Sequence, residues 1–318
     1  MKIYRSIEAY RSEKLACSTP AVPAAVTLGK FDGVHRGHQL LIRRILKKAK
    51  EENLRSVVFA IDVSPQEILS HQEREQFLAS MGADELVECP FSVEFMAMEP
   101  QRFISEIIRD TLHAAFLAVG TDFRFGHNRL GDAALLEALG RDNGYKLEIV
   151  EKERYLGEEI SSTRVRGALE SADMKLVKEL LGREYPILGT ICRGNHIGTG
   201  MGLPTVNLIP PPDKILPPDG VYVSLTRLED GRLIEGITNI GFKPTVDGTF
   251  RGVETNLFDF SQTLYGSEVE VQLLDYLRPE KKFPGLEELK EQVQLDIATA
   301  RDVLHKRRQG VRFACNQP

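Results

Sequence analysis

One stretch narrows the choice of folds more than any other. It is Val26-Thr27-Leu28-Gly29-Lys30-Phe31-Asp32-Gly33-Val34-His35-Arg36-Gly37-His38, followed by Gln39-Leu40-Leu41-Ile42. The apolar run from Ala24 to Leu28 reads as a buried strand and the glycine-bracketed segment as a tight turn. Leu40, Leu41, Ile45 and Leu46 then supply the apolar stripe of a helix. Strand, turn and helix in that order set the helix's unpaired N–H groups at the carboxyl end of a strand, where α/β proteins hold phosphates. His35 and His38 stand three apart at the helix start, so both rings can face one side. Two imidazoles at the positive end of a helix dipole suit a polyphosphate, donating hydrogen bonds to its non-bridging oxygens as charge builds. Gly37 between them lets backbone and phosphate approach closely. Zinc fits less well: His-x-x-His supplies two ligands, and no Cys pair completes the set.

The rest of the first half keeps the same alternation. Strands are expected at Ser56 to Ile61, Glu85 to Val87, Phe116 to Val119 and Leu147 to Val150. Helices are expected over 39–52, Arg74 to Met81 and Pro100 to Leu112. Strands alternating with helices predict an α/β domain, a doubly wound parallel sheet with crossover helices. The strand ending at Val119 runs into Gly120-Thr121-Asp122-Phe123-Arg124-Phe125-Gly126, a loop beyond a strand end where ligand contacts usually lie. On their own, Phe123 and Phe125 read equally well as core plugs. In Ile160-Ser161-Ser162-Thr163-Arg164-Val165-Arg166, Ser161 or Ser162 is a good N-cap, which puts Thr163, Arg164 and Arg166 in the first helical turn. Arginines there oppose the helix dipole, so an anion is expected between them and the helix end. Hydroxyls, guanidinium forks and free N–H groups together make a triphosphate clamp.

The apolar-periodic helix of Lys175 to Leu181 stops at Gly182-Arg183-Glu184-Tyr185-Pro186, and the domain boundary is expected there: 1–182, then 187–318. Beyond it, short β-rich pieces (Ile187–Cys192, Gly220–Leu225, Leu233–Ile240, Val253–Phe258, Val269–Leu277) predict a small antiparallel barrel closed by a helix from Gly285 to Arg307. A glycine-rich loop, Gly194 to Gly202, leads into Leu203-Pro204-Thr205-Val206-Asn207. It is no Walker motif, yet Gly198 and Gly202 could let it fold over phosphates. Thr205 and Asn207 offer hard oxygen ligands to Mg²⁺. Glu254 shares a strand side with Asn256 and is a candidate general base for a hydroxyl; an outward-facing solvated glutamate is the equal alternative.

Composition narrows the partners. A net charge of −5 over 318 residues argues against a general nucleic-acid binder. No run approaches a membrane span, and the N-terminus lacks the apolar core of a signal peptide. Cys17, Cys89, Cys192 and Cys315 are scattered, as reduced thiols in a cytoplasmic chain would be. Oligomeric state stays open.

Taken together, the motifs resemble the bifunctional prokaryotic riboflavin kinase/FAD synthetase family. GKFDGVHRGH (29–38), VGTDFRFG (119–126) and ISSTRVR (160–166) stand in the order of its adenylyltransferase domain, which is Rossmann-like. LPTVN (203–207), DGVYVS (219–224), NIGFKPT (239–245), VETNLFDF (253–260) and LYG (264–266) follow the order of its riboflavin kinase domain. The resemblance implies that the second half moves the γ-phosphoryl of ATP to riboflavin, with Glu254 as base and Thr205 and Asn207 holding Mg²⁺ and phosphate. It implies that the first half joins FMN to the α-phosphate of a second ATP, giving FAD and pyrophosphate. His35 and His38 would then stabilise the phosphates, with Gly29, Phe31, Asp32, Gly33 and Gly37 shaping the nucleotide site. Ser162, Thr163, Arg164 and Arg166 would hold the pyrophosphate, and Asp122, Phe123 and Arg124 would line the flavin pocket. Three positions depart from the family's habit: Ser64 for histidine, Thr199 for arginine, and Thr255-Asn256 for Val-His. Two other readings remain. One is a single-activity member whose other domain only binds flavin. The other is a related nucleotidyltransferase with another phosphate acceptor, since H-x-G-H and STR signatures are shared that widely.

Overall fold

The computed structural model describes residues 1–16, 22–62, 65–90, 92–192, 205–245 and 248–315. Cys17, Ser64, Gly198, Thr199 and Gly202 lie outside the described residues. The chain divides into two compact units, Met1–Ser162 and Thr163–Pro318. The first unit ends at the first residue of the helix Ser162–Glu170, and the helix Met174–Leu181 belongs to the second. The second helix packs on barrel strands, and Lys178 Nζ reaches Glu184 at 2.7 Å. Gly182 still stops that helix, with φ +68 and its N–H donated to Lys178 O.

In the first unit a six-stranded parallel sheet runs, edge to edge, Lys2–Tyr4, Glu85–Pro90, Arg55–Asp62, Ala24–Gly29, Ala114–Gly120, Lys146–Val150. Alternation along the strands builds two cores. Ala24, Val26, Leu28, Val57, Phe59, Leu117 and Val119 face a layer carrying Tyr10, Phe103, Ile107 and Leu136. Ala25, Val58, Ala60, Phe116 and Ala118 face a layer carrying Ile42, Ile45, Ala49 and Leu78. The doubly wound architecture is therefore as expected. The helices Ile7–Ala16 and Ala133–Gly140 were not expected, and two further features differ from the sequence reading. Lys2–Tyr4 adds an edge strand, and the helix expected over 100–112 is a short α segment, Pro100–Arg102, running into a π-helical Phe103–Arg109.

A buried ion network ties the helix His71–Ser80 to the strand Glu85–Pro90. Arg74 is 1% exposed; its guanidinium donates to Glu88 Oε1 at 2.7 Å and lies 3.7 Å from Glu67 Oε1. Burial alone would raise the Glu88 carboxyl, but hydrogen bonds from Arg5, His71 and Arg74 hold it down at about 2. Removing one partner of a buried pair leaves an uncompensated charge. Arg74→Met is therefore expected to destabilise the first unit by about 3–5 kcal/mol, read as a lower midpoint in denaturant titrations.

In the second unit six antiparallel strands close a barrel in the order Tyr185–Cys192, Thr205–Leu208, Gly248–Leu257, Leu233–Thr245, Gly220–Arg227, Glu268–Pro279. The sequence reading had five of these. Thr205–Leu208 is only 4 residues long and pairs with the strand carrying Glu254. The helix Leu286–Cys315 lays Ala300 and Leu304 on Val221, Val223, Ile237, Phe258 and Leu274 of the barrel's outer face.

Candidate active sites

The strand order in the first unit reverses at Ala24–Gly29. The next two strands in sequence lie to one side of it and the following two to the other. Ligands in open α/β sheets bind outside the carboxyl ends at such a point. Here a cavity of about 790 Å³ opens there, lined by Gly29, Lys30, His35, Gly37, His38, Gly120, Asp122, Phe123, Arg124, Lys152 and Ser162 among others.

The turn feeding the cavity has an uncommon backbone. Phe31 (φ +47), Gly33 (φ +78) and Val34 (φ +38) all sit at positive φ. For a β-branched residue such as Val34 this costs about 1–3 kcal/mol, so surrounding contacts must impose it. They do. Asp32 Oδ1 accepts from Ile68 N at 2.8 Å, and Asp32 O accepts from Ser162 Oγ at 3.1 Å. A Cβ on Gly33 would meet Ile68 at 3.0 Å.

His35 is the N-cap of the helix Arg36–Glu52, its Nδ1 accepting from His38 N at 3.4 Å. With Nδ1 an acceptor, the proton of a neutral His35 belongs on Nε2. The two rings stack at 3.7 Å, tilted by 18°, and a Cβ at Gly37 would press on His35 at 3.3 Å. Phe31 supports His38 from below, ring centroids 5.0 Å apart. Burial, with the charge of His35 adding to it, holds His38 well below the ordinary 6.5. His38 is thus a neutral donor rather than a standing cation. Its histidine Cε1–H resonance is expected to stay unshifted between about pH 8 and 6 in the ligand-free protein. As pH falls below 6.5, the unfolded chain takes a proton that folded His38 refuses, so this group costs stability on the acid side and nothing above it.

Of the residues expected at the nucleotide site, Gly29, His35, Gly37, His38 and Ser162 line the cavity. Phe31, Asp32 and Gly33 do not line it. They lie beneath it, with Phe31 fully buried, because the positive-φ turn points them into the core and hands its far end to His35. Ser162 begins its helix, so Ser161 takes the N-cap position; Thr163 is exposed, and Arg164 and Arg166 are half-buried in the second unit. Asp122, Phe123 and Arg124 line the cavity together. Phe123 stacks on Phe125 at 5.6 Å, Phe125 lies 5.1 Å from Phe103, and Phe103 lies 5.8 Å from Phe95. One wall is therefore aromatic. The sequence reading missed Phe95, Met96 and Phe103 of this wall, and also Lys152, which pairs with Asp122 at 2.9 Å and Glu159 at 2.8 Å. The signal for Phe95 and Met96 was an apolar segment between Pro90 and Pro100 too short to be a helix of the sheet layer.

On the barrel, Asn207 and Asn239 flank Glu254 on its two neighbouring strands, directly opposite it in register. Directly paired residues share a face, so these three side chains lie on one side of the sheet. Thr205 Oγ1 donates to Glu254 Oε1 at 2.9 Å. Thr255 points the other way, into the barrel, where Thr238 bonds both it and Ser224 at 2.8 Å. Carboxylate, hydroxyl and amide are thus brought together as expected. Asn239 is an addition that only strand pairing reveals.

Comparison with known proteins agrees with this geometry in both units. The model of a family described as FAD synthetase matches residues 18–164, and that of riboflavin kinase matches 181–304. The bifunctional riboflavin kinase/FMN adenylyltransferase of Haemophilus influenzae is 36% identical over 87% of this chain and 93% of its own. That of Escherichia coli is 35% identical over 89% and 93%, and that of Pseudomonas fluorescens 32% over 95% and 97%. A crystal structure described as a macrolide-efflux protein from Streptococcus pneumoniae has a TM-score of 0.81 and 30% identity, covering 94% of this chain and 98% of that one. Efflux is said of that protein alone; among the described residues here no helix is long and apolar enough to cross a membrane. Both halves match in chain order: the chain belongs to the bifunctional riboflavin kinase/FMN adenylyltransferase family, and it is an enzyme that makes FMN from riboflavin and ATP and then FAD from FMN and ATP.

Proposed function

We propose that the two steps run at the two sites just described, each by positioning and electrostatics without a covalent enzyme intermediate. The stacked histidine pair at the strand-order reversal carries this reading for the first unit. An FMN phosphate oxygen attacks the α-phosphorus of ATP there, the bond to the bridging oxygen breaks, and pyrophosphate leaves. His35 and His38 donate to the phosphate oxygens as negative charge builds, aided by the N–H groups of the helix they begin. Ser162, Thr163, Arg164 and Arg166, with their hydroxyls and guanidinium forks, hold the leaving pyrophosphate. The aromatic wall with Phe123, beside Asp122 and Arg124, takes the flavin.

In the second unit Glu254 accepts the proton of the riboflavin 5′-hydroxyl as its oxygen attacks the γ-phosphorus of ATP, and ADP leaves. The donor set fits Mg²⁺: the Thr205 hydroxyl spends its proton on Glu254, which leaves its lone pairs available, and Asn207 adds an amide oxygen on the same face. A magnesium ion held by Thr205 and Asn207 would neutralise charge on the ATP phosphates. We place the enzyme in the cytoplasm, in keeping with cysteines scattered along the chain without paired spacing, working on small molecules rather than nucleic acid. Purified protein given riboflavin, ATP and Mg²⁺ is expected to yield FMN and then FAD by chromatography, and excess EDTA to stop both. FMN accumulating without FAD would refute the first site. Undiminished FMN formation in EDTA would refute the metal.

A further inference from the structure

Gln39 belongs to none of the motifs used above, yet it is 5% exposed at the mouth of the histidine helix. Its side-chain Nε2 donates to Val34 O at 3.0 Å, and its backbone N–H donates to His35 O at 2.9 Å. The amide cannot be turned the other way round, because Arg43, a donor only, bonds its Oε1 at 3.2 Å. One residue therefore grips the carbonyls on both sides of His35. The first of these belongs to Val34, the β-branched residue at φ +38. That peptide plane sets the φ of His35, and His35 in turn receives the His38 N–H and stacks on the His38 ring.

We infer that Gln39 is a positioning residue for adenylyl transfer: it holds Val34 in its strained conformation and so aims the histidine pair at the phosphates. The inference rests on the reading of His35 and His38 as phosphate donors. Without the side-chain donor, Val34 relaxes toward negative φ, where its branched side chain is at ease, and the His35 ring swings with the peptide plane. Such a displacement weakens the transition-state contacts more than substrate binding, so kcat falls and KM does not.

The experiment uses the full chain, whose riboflavin kinase activity reports how much protein is folded. Gln39→Leu is expected to lower kcat for FMN adenylylation by about tenfold to 100-fold, with KM for ATP and FMN moving less than about threefold and riboflavin phosphorylation unchanged. Gln39→Glu keeps the acceptor for Arg43 but has no donor for Val34, and is expected to lose as much. Adding Val34→Gly to Gln39→Leu is expected to restore most of the lost kcat, since glycine holds positive φ without strain. A merely structural role predicts no such rescue at saturating substrate. Either single variant retaining kcat within about twofold of the parent, or a double variant no faster than Gln39→Leu, would overturn the inference. If Gln39→Leu loses both activities, Gln39→Glu and the double variant decide. A harmless His38→Ala would instead bring down the histidine reading itself, whereas a crippling His38→Ala beside a harmless Gln39→Leu brings down only this inference.

Discussion

His38→Ala is expected to cut the rate of FAD formation from supplied FMN by about 100- to 1,000-fold, while riboflavin phosphorylation by the same protein stays at its parent rate. The size follows from what is removed. A neutral, half-buried imidazole, held well below its ordinary titration range, offers a donor whose orientation is already paid for by stacking on His35 and Phe31. Water entering the space left by alanine must reorganise as charge develops, and the preorganised ring need not. The loss should appear in kcat more than in KM for ATP, because the donor acts on charge that grows on the way to the transition state. Stopped assays with FMN and ATP, scored for FAD and pyrophosphate, check it. Equal loss of both activities would mean that the two reactions do not use separate sites.

Glu254→Gln is expected to do the reverse. Glutamine keeps the shape and can still accept from the Thr205 hydroxyl, so the rung with Asn207 and Asn239 survives, but an amide cannot take a proton at neutral pH. The riboflavin kinase kcat should fall by about 100- to 10,000-fold, with FAD formation from supplied FMN untouched. Feeding the variant riboflavin alone and then FMN alone separates the outcomes in one preparation. A kinase rate within tenfold of the parent would make Glu254 a spectator and move the proton to solvent or to ATP itself, a margin set against the smallest loss of about 100-fold expected for a general base.

Much of both sites was legible before any coordinates. Gly29, His35, Gly37, His38 and Ser162 line one cavity, and Thr205, Asn207 and Glu254 gather on one barrel face, as their spacing and the family resemblance led one to expect. Phe31, Asp32 and Gly33 are buried and are not among the residues that line the cavity. Neighbours in sequence of a cavity-lining residue need not line the cavity themselves, because the positive-φ turn here buries all three. Arg74 shows the converse. On a sequence it is one more charge on a helix; only the approach of Glu88, fourteen residues on, makes it a buried strut.

What the sequence alone determined are the features that repeat locally. Apolar periodicity marks which face of each element is buried, so it laid out the doubly wound sheet, most of the barrel strands and the strand-to-helix junction that offers N–H groups to phosphate. Tertiary structure alone decided which groups and segments meet: Asp32 with Ile68 and Ser162, Asn239 beside Glu254, Lys2–Tyr4 on the sheet edge, and the amide of Gln39 on a valine that would not hold positive φ by itself. The reason is physical. Hydrophobic burial is non-directional and is encoded in composition and spacing, whereas a hydrogen bond or a strained turn depends on where the closed chain brings its partner.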